Sequence, residues 1–191
     1  MTGKTLGETT RRIINILYRD GRRSLVSIAR ELGITHVAVR KQLNKLTSTG
    51  LLKITGSLDP SKLGYRLVLV FIEAAGEEYI ARIVRSLRNC PRTVFLARLL
   101  GGYNLVAILY AENEKVLDAM SSICTIRTLE GIRRTELYLL SETIRPTHLP
   151  IELGEHNLGE TPCGRKCSSC PAYIGKKCPG CPATIWYRNT D

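Results

Sequence analysis

Between residues 65 and 140 the spacing of apolar residues switches repeatedly between an alternating and a helical pattern. The order of these switches restricts the possible folds more than any other feature of the sequence. Alternating apolar runs predict four strands, at residues 65–74, 93–100, 104–110 and 132–140. Apolar residues at three- and four-residue spacing predict two helices, at 77–89 and 114–129. Gly101 and Gly102 mark a hairpin between the second and third strands. The resulting order, β-α-β-β-α-β, predicts a ferredoxin-like α+β domain.

The first of these strands is apolar on both of its faces. One alternating set contains Leu67, Leu69 and Phe71, and the other contains Val68, Val70 and Ile72. Such a strand is covered on both sides, but two helices cover only one side of the sheet. In a chain of 191 residues, the same domain of a second copy is the best cover for the other side. We therefore expect a homo-oligomer, at least a dimer.

Three short helices are predicted upstream of the sheet. Ser24 and Thr35 are candidate N-caps for the second and third helices, and Gly33 separates the two. A tight Gly-Ile-Thr turn between two short helices is typical of a helix-turn-helix. Residues 51–54 are compatible with a short strand, and together with residues 58–69 they are predicted to form a wing. Residues 1–60 are thus predicted to be a winged helix-turn-helix domain.

Positive charge is concentrated in this N-terminal region. The formal net charge of the chain is +11, and residues 1–60 contain eleven Lys and Arg against four Asp and Glu. On charge alone, a solvated basic surface is an equal alternative to a binding site for a polyanion. The helix-turn-helix spacing favours the second interpretation, with double-stranded DNA as the partner.

The third helix carries side chains that can read base edges in a major groove. They lie opposite its apolar stripe, at three- and four-residue spacing: His36, Val37, Arg40, Lys41 and Asn44. Arg22, Arg23 and Lys45 are better placed to neutralise phosphates, which gives affinity without sequence information. Thr35, the predicted cap, completes the set of candidate DNA-binding residues.

Three segments of the chain match a known family: SLVSIARELGITHVAVRKQLNKLTSTGLLK, DPSKLGYRLVLVFIEA and EGIRRTELYLL. Through them the chain resembles, over roughly residues 8–142, the Lrp/AsnC family of feast/famine transcription regulators. The resemblance implies that the third helix is the recognition helix. It also implies dimers or higher assemblies that pair through their ferredoxin-like domains and can bind small effectors, such as amino acids, between subunits.

The same resemblance implies a candidate effector pocket at Gly102, Tyr103, Asn104 and Thr135. Family members often carry a carboxylate in this hairpin, where it could hold the ammonium group of an amino acid. Here the loop is Gly101-Gly102-Tyr103-Asn104, without a carboxylate. We expect a small-molecule effector at this loop, and the missing carboxylate argues against an amino acid.

Five of the seven cysteines lie close together near the C-terminus: Cys163, Cys167, Cys170, Cys178 and Cys181. Residues 1–10 contain no stretch of signal-peptide length, so we expect a cytoplasmic protein, in which disulfides are a poor explanation. Two Cys-x2-Cys pairs supply four thiolates, enough for a tetrahedral zinc site. The Cys-x3-Cys-x2-Cys triplet suits an iron–sulfur cluster about as well. We expect a metal, with zinc preferred; reactive thiols without a metal are the alternative.

The C-terminal residues are too few to fold around a core of their own without such a metal. Proline and glycine without sustained periodicity predict a linker at residues 143–162. The predicted fold is thus α+β: a winged helix-turn-helix (1–60), a ferredoxin-like βαββαβ dimerisation domain (61–142), the linker, and a small cysteine-rich metal module (163–191). Cys90 and Cys124 are isolated in the sequence and are predicted to be buried small apolar residues.

An enzyme is the alternative from another functional class. Some haem-biosynthesis decarboxylases resemble this two-domain architecture and bind a tetrapyrrole through His and Arg on the ferredoxin-like domain. The chain has no histidine between His36 and His148, and its third helix is basic. Both features favour a regulator without catalytic activity. No apolar run approaches the length of about 20 residues that spans a bilayer, so we expect no membrane partner.

Overall fold

The chain divides into two compact units, Met1–Gly56 and Ser57–Asp191. They are seen in a computed structural model that describes residues 5–188. The division falls close to the predicted boundary after residue 60. Within the described residues, no helix has the length and apolar character needed to cross a membrane.

The first unit contains three helices, α1 (Glu8–Arg19), α2 (Leu25–Leu32) and α3 (His36–Ser48). Both predicted N-caps are present. The Ser24 hydroxyl accepts a hydrogen bond from the Ser27 backbone N–H, and the Thr35 hydroxyl accepts one from Ala38. Gly33 ends α2 in the left-handed conformation, at φ 68°, where a residue with a Cβ is disfavoured. The helices enclose a small core of buried apolar side chains, namely Ile13, Leu17, Ile28, Ala29 and Val39.

The segment after α3 differs from the predicted wing. Residues 51–57 form neither helix nor strand. Leu58, which was expected to open the second wing strand, instead exchanges two backbone hydrogen bonds with Leu149, at 2.9 and 2.8 Å. Residues Pro60–Leu63 then form a 3-10 turn. The backbone of Leu58 is therefore paired within the second unit.

The second unit contains the four-stranded sheet predicted from the sequence. Its elements are β1 (Arg66–Ala74), α4 (Glu77–Arg88), β2 (Thr93–Arg98), β3 (Leu105–Ala111), α5 (Glu114–Ser122), α6 (Thr125–Thr128) and β4 (Ile132–Leu139). The strand order is β2-β3-β1-β4, and all neighbours are antiparallel. The βαββαβ order is confirmed. The single helix predicted over 114–129 is instead two helices, because Cys124 adopts an extended conformation before α6.

The main core lies between the helices and one face of the sheet. This face is largely apolar, although Thr135 also lies on it. Its strand side chains Val70, Ile72, Leu105 and Ala107 have no exposed surface, nor does Ile83 of α4, which packs in the same core. Burying a side chain of this size contributes roughly 1.5–3 kcal/mol. This face therefore accounts for much of the stability of the second unit.

The other face of the sheet carries a group of large apolar side chains that is only partly covered, with Glu136 and Arg134 beside it. Antiparallel pairing places Leu69 opposite both Ile108 and Tyr138, so these side chains share that face. Phe71 packs against Tyr138, with ring centroids 6.0 Å apart. Phe95, which pairs with Ile108, is 48% exposed, and Tyr138 is 50% exposed. A face with this much apolar surface is typical of an interface between proteins.

Residues of the predicted linker and tail pack within the same compact unit as the sheet. They include two short helical turns, a 3-10 turn at Cys167–Ser169 and α7 at Pro171–Ile174. Backbone hydrogen bonds join residue 158 to residues 183 and 185. A Cβ at Gly154 would collide with the backbone of Pro182, so this close approach requires glycine. The Tyr110 hydroxyl donates to the Glu152 carbonyl and connects the segment to β3.

Candidate functional site

The outer face of α3 brings together the predicted DNA-reading side chains. Val39 and Leu46 fix the inner face of the helix against the core. The candidates on the opposite side are all exposed: His36, Val37, Arg40, Lys41, Asn44 and Lys45. Val37 is unusual among them, because an apolar side chain is 59% exposed. This mixture of donors, an amide and a small apolar group suits the edges of bases.

The remaining candidates on this unit have more defined local partners. The Thr35 hydroxyl oxygen accepts the capping hydrogen bond of α3 from the Ala38 backbone N–H, so this side chain fixes the start of the helix. Arg23 forms an ion pair of 3.3 Å with Glu31, which neutralises part of its charge. Arg22 is exposed, and its backbone N–H is bound by the Asp20 carboxylate. The sequence did not indicate the side-chain contact between Gln42 and Thr10, which links α3 to α1.

The four candidate effector residues do not converge on one point. The Asn104 amide makes two hydrogen bonds of 2.9 Å with the backbone of Ala74, so it fixes the hairpin to β1. Tyr103 packs against Phe71, on the partly covered face. Thr135 pairs with Ile72 and faces the helices, where its hydroxyl donates to the Ile126 carbonyl. Gly102 is exposed beside Tyr103. Of the four, only Gly102 and Tyr103 are not engaged by such backbone contacts, and the Tyr103 hydroxyl is itself buried while the Arg134 guanidinium lies 5.5 Å from the centre of its ring.

All seven cysteines of the chain line one cavity of about 90 Å³. The five tail cysteines are there, as is Cys90 from the turn after α4 and Cys124 from the break between α5 and α6. All seven are free thiols. We call this space the cysteine cavity. Cys90 and Cys124 were predicted only as buried apolar residues, because their sequence distance from the tail gave no indication of this shared location.

Hydrogen-bond donors surround the sulfur atoms of the cavity. Backbone N–H groups of Cys181 and Ala183 donate to the sulfurs of Cys167 and Cys181 respectively. The sulfur of Cys170 is reached by two backbone N–H groups and by the Arg165 guanidinium. On the sheet side, burial raises the pKa of Cys90 to about 12. At Cys167 and Cys181 burial outweighs these donors and raises the pKa, to about 11 for Cys181, whereas at Cys170 the donors together outweigh burial and lower the pKa.

Arg92, which lines the cavity, belongs to a buried ion pair. The Arg92 guanidinium binds the Glu112 carboxylate through its Nε, at 3.1 and 2.8 Å from the two oxygens. The Arg92 side chain is 12% exposed and that of Glu112 is 9% exposed. Burial lowers the pKa of Arg92, but the Glu112 carboxylate outweighs this effect and raises it. Arg92 also donates to the Gly180 carbonyl at 3.1 Å, which connects the sheet directly to the tail.

The cysteines line a shared space, but they do not form a metal-holding group. In the part of the chain that the structure describes, no group of three or more His, Cys, Asp and Glu side chains is arranged to hold one metal ion. The remaining wall includes apolar side chains of the sheet domain, such as Leu109, Val116 and Met120. The cavity is therefore rich in thiols and otherwise largely apolar.

Comparisons with known proteins match the helical unit and the sheet domain. The family of winged helix-turn-helix DNA-binding domains matches residues 6–53. The chain is similar to the HTH-type transcriptional regulator FL11 of Pyrococcus horikoshii, with 26% identity over 150 residues, 77% of this chain and 97% of that protein.

Two solved structures share the fold. That of AsnC from E. coli has a TM-score of 0.65 at 17% identity and covers 74% of this chain and 95% of AsnC. A transcriptional regulator of Neisseria meningitidis, solved in complex with L-Met, has a TM-score of 0.66 at 16% identity and covers 74% of this chain and 93% of its own. The similar proteins are named as transcriptional regulators, which does not support the alternative of a tetrapyrrole decarboxylase.

Proposed function

We propose that this chain, a DNA-binding transcription regulator of the Lrp/AsnC type, reads its DNA site through the outer face of α3. The observation that supports this is the helix itself: its apolar stripe is buried, and six candidate DNA-contacting side chains are exposed on the other side. Arg40 is the best candidate for a base contact, because Arg binds guanine through two hydrogen bonds. Lys45 and Arg22 contact phosphates. Since DNA is the ligand, we place the protein in the cytoplasm.

Substitutions on α3 test this assignment. Arg40→Ala should cost roughly 1–3 kcal/mol on the cognate site and relax the discrimination against other bases. Lys45→Ala should weaken binding to all duplexes about equally, because phosphate contacts carry no sequence information. Both are measured by fluorescence anisotropy on a site selected from random duplexes, at several salt concentrations.

A triple variant, Arg40→Ala, Lys41→Ala and Asn44→Ala, gives the most direct test of the helix. All three side chains are exposed, so the circular dichroism spectrum should match that of the wild type. Arg82→Ala is the matched control, since it removes an exposed arginine from α4 in the other unit. Wild-type affinity of the triple variant for the selected site would refute the role of α3.

The regulator is further proposed to act as a dimer or higher oligomer that pairs through the open face of the sheet. The support is the apolar surface on that face, where Phe95 and Tyr138 are each about half exposed. Covering these side chains with the same face of a second copy would remove them from water on both partners. Symmetric pairing, in which the same face of each copy contacts the other, is the simplest arrangement of this kind.

A charge placed on this face should weaken the dimer. Phe95→Glu should raise the dimer dissociation constant by about tenfold or more, because a carboxylate would be desolvated without a partner. Tyr18→Glu is the control, because Tyr18 is 75% exposed on α1. Sedimentation velocity over a concentration series measures both. An unchanged dissociation constant for Phe95→Glu, or a monomeric wild type at micromolar concentration, would contradict this proposal.

A small-molecule effector is proposed to bind beside the β2–β3 hairpin. The N. meningitidis regulator of similar fold was solved with L-Met, which supports an amino-acid-sized ligand. In this chain Asn104 and Thr135 are occupied by backbone contacts. Gly102 and Tyr103 are therefore the residues proposed to contact the effector.

The five tail cysteines are proposed to bind a metal, with zinc as the first candidate from their spacing and an iron–sulfur cluster as the other. The support is their convergence on the cysteine cavity together with the backbone N–H groups directed at three of the sulfurs. Bound metal would attach the tail to the sheet domain and so to the dimer. The regulator could in this way respond to metal or redox state.

A further inference from the structure

A small pocket of positive charge lies where the tail meets α5. Its volume is about 150 Å³, and three cationic side chains line it: Lys115 of α5, and Lys176 and Arg188 of the tail. Cys178 and Pro179 complete its wall. We call this space the basic pocket. No carboxylate of the described residues lines it, so the basic side chains dominate its electrostatic potential.

The charges of these three side chains are not neutralised locally. Among the residues that the structure describes, none of the three forms an ion pair with a carboxylate. Lys115 is the second residue of α5, where the positive end of the helix dipole disfavours a further cation. Glu114 begins the same helix but does not line the pocket. Like charges around one small space repel each other, and a bound anion would remove that repulsion.

Arg188 is held in place by contacts within the tail. Its Nη1 donates to the Tyr173 carbonyl at 3.0 Å, and its guanidinium lies 3.9 Å from the centre of the Tyr173 ring. Its backbone N–H donates to the Pro179 carbonyl at 2.8 Å, which attaches Arg188 to the wall of the pocket. A guanidinium carries several N–H donors in a rigid fork. Those not used at Tyr173 are available to bind an oxyanion in a bidentate manner.

The size and the charge of the pocket together indicate its ligand. Pockets for drug-sized molecules measure about 300–1,000 Å³, so a pocket of about 150 Å³ suits one small group. Both carboxylate and phosphate match the fork of an arginine. A phosphate monoester carries about 1.5 to 2 negative charges near neutral pH, so it gains more from three surrounding cations than a carboxylate does. These properties favour phosphate.

We propose that the basic pocket binds a phosphate group, with Arg188 as the bidentate partner and Lys115 and Lys176 balancing the remaining charge. The bound group would connect α5 to the tail, as the bond from Arg92 to Gly180 connects the sheet to it. Neither DNA reading by α3 nor a metal in the cysteine cavity is required for this binding. The phosphate belongs either to a small phosphorylated molecule or to the DNA backbone, and the two sources are distinguished below.

The first test titrates the full-length protein with inorganic phosphate and with pyrophosphate, by calorimetry at constant ionic strength. The pocket variant, Lys115→Gln with Lys176→Gln, removes two of the three charges. Both side chains are exposed, so the circular dichroism spectrum should not change. The matched control is Lys177→Gln with Arg85→Gln. It also removes one exposed cation from the tail and one from a helix of the sheet domain, but neither lines the pocket.

Affinity for a free phosphate should fall about tenfold or more in the pocket variant, because its charge-assisted hydrogen bonds are lost. The control should retain the wild-type affinity. Replacing part of the buffer salt with chloride at the concentration of the phosphate should not displace it. Equal losses in the two variants, or equal competition by chloride, would show a general attraction of anions to a basic protein and would overturn the proposal.

The second test identifies the source of the phosphate, by measuring the DNA affinity of the same variants at several salt concentrations. If the DNA backbone supplies it, the slope of log affinity against log salt should fall by about one to two in the pocket variant and not in the control. If a small molecule supplies it, free phosphate binds the wild type and the slope is unchanged.

A pocket variant that behaves like the control in both tests would overturn the proposal. The α3 triple variant separates this outcome from a failure of the DNA-reading assignment. Its substitutions lie in the other compact unit, so it should bind free phosphate as the wild type does, whatever its affinity for DNA.

Discussion

Chelating the metal from the full-length protein is expected to unfold the tail locally while the four-stranded sheet stays folded. Ordering each residue costs about 1–2 kcal/mol in conformational entropy. The tail buries few side chains of its own, with Cys167 and Thr184 among those that are nearly inaccessible. Structural zinc supplies about 10–16 kcal/mol in peptides of comparable size, and other thiolate-bound metals act in the same way. Without that contribution, we expect the entropic cost of ordering the tail to exceed what its few buried side chains offset.

Trp186 reports on this change, because it is the only tryptophan of the chain. Its indole N–H donates to the Gly159 carbonyl at 2.8 Å, and its ring packs edge-to-face against Tyr173 with centroids 6.3 Å apart. Chelation should shift its emission to longer wavelength and expose the tail to protease. The Cys167→Ser, Cys181→Ser variant is the control and should show the shifted emission before any chelator is added. A tail that stays protected after complete metal removal would contradict the prediction.

Much of the fold could be predicted because its signals are local. The caps at Ser24 and Thr35 depend on one hydroxyl and a backbone N–H three residues later. The βαββαβ order depends on apolar periods that each strand and helix carries by itself. The break at Cys124 was missed because the apolar spacing continues across it. The pairing of Leu58 with Leu149 was missed for another reason, since the two residues are ninety-one positions apart.

The candidate sites also differ in whether their sequence signals are local. The DNA-reading face of α3 follows from a single helix, so the sequence was sufficient to place its exposed side chains. The cysteine cavity combines three separate parts of the chain, and only the tail has a recognisable spacing. Asn104 was assigned to a ligand from resemblance, whereas the structure uses its amide to fix a hairpin. A polar side chain can satisfy backbone groups or a ligand, and sequence alone does not distinguish the two.

Arg92 and Glu112 gave no signal in the sequence, yet they connect the sheet to the tail. Glu112 follows β3, and Arg92 precedes β2. The Tyr187 hydroxyl also donates to Glu112, at 3.4 Å, and the Arg92 guanidinium lies 5.9 Å from the centre of the Tyr187 ring. These contacts, with the bond from Arg92 to Gly180, form one small network. It is one of the side-chain links between the sheet and the tail.

Glu112→Gln is expected to destabilise the second unit by about 3–5 kcal/mol, because it leaves the Arg92 charge buried without its partner. Both side chains are nearly inaccessible, so solvent can do little to screen the unpaired charge of Arg92. Urea unfolding followed by circular dichroism measures the loss. Trp186 emission, recorded in the same titration, should show the tail detaching before the sheet unfolds, since Arg92 binds the carbonyl of Gly180.

The exposed pair between Arg82 and Glu130 is the matched control. Its atoms are 2.7 Å apart, similar to the buried pair, but the side chains are 53% and 73% exposed. Glu130→Gln should therefore change the urea midpoint very little, because exposed pairs contribute little to stability. Replacing both buried partners, with Arg92→Met and Glu112→Leu, should recover much of the sheet stability. It should not recover tail attachment, since the bond to Gly180 is lost with Arg92. Equal losses for Glu112→Gln and Glu130→Gln would show that burial of the pair is not what stabilises this junction.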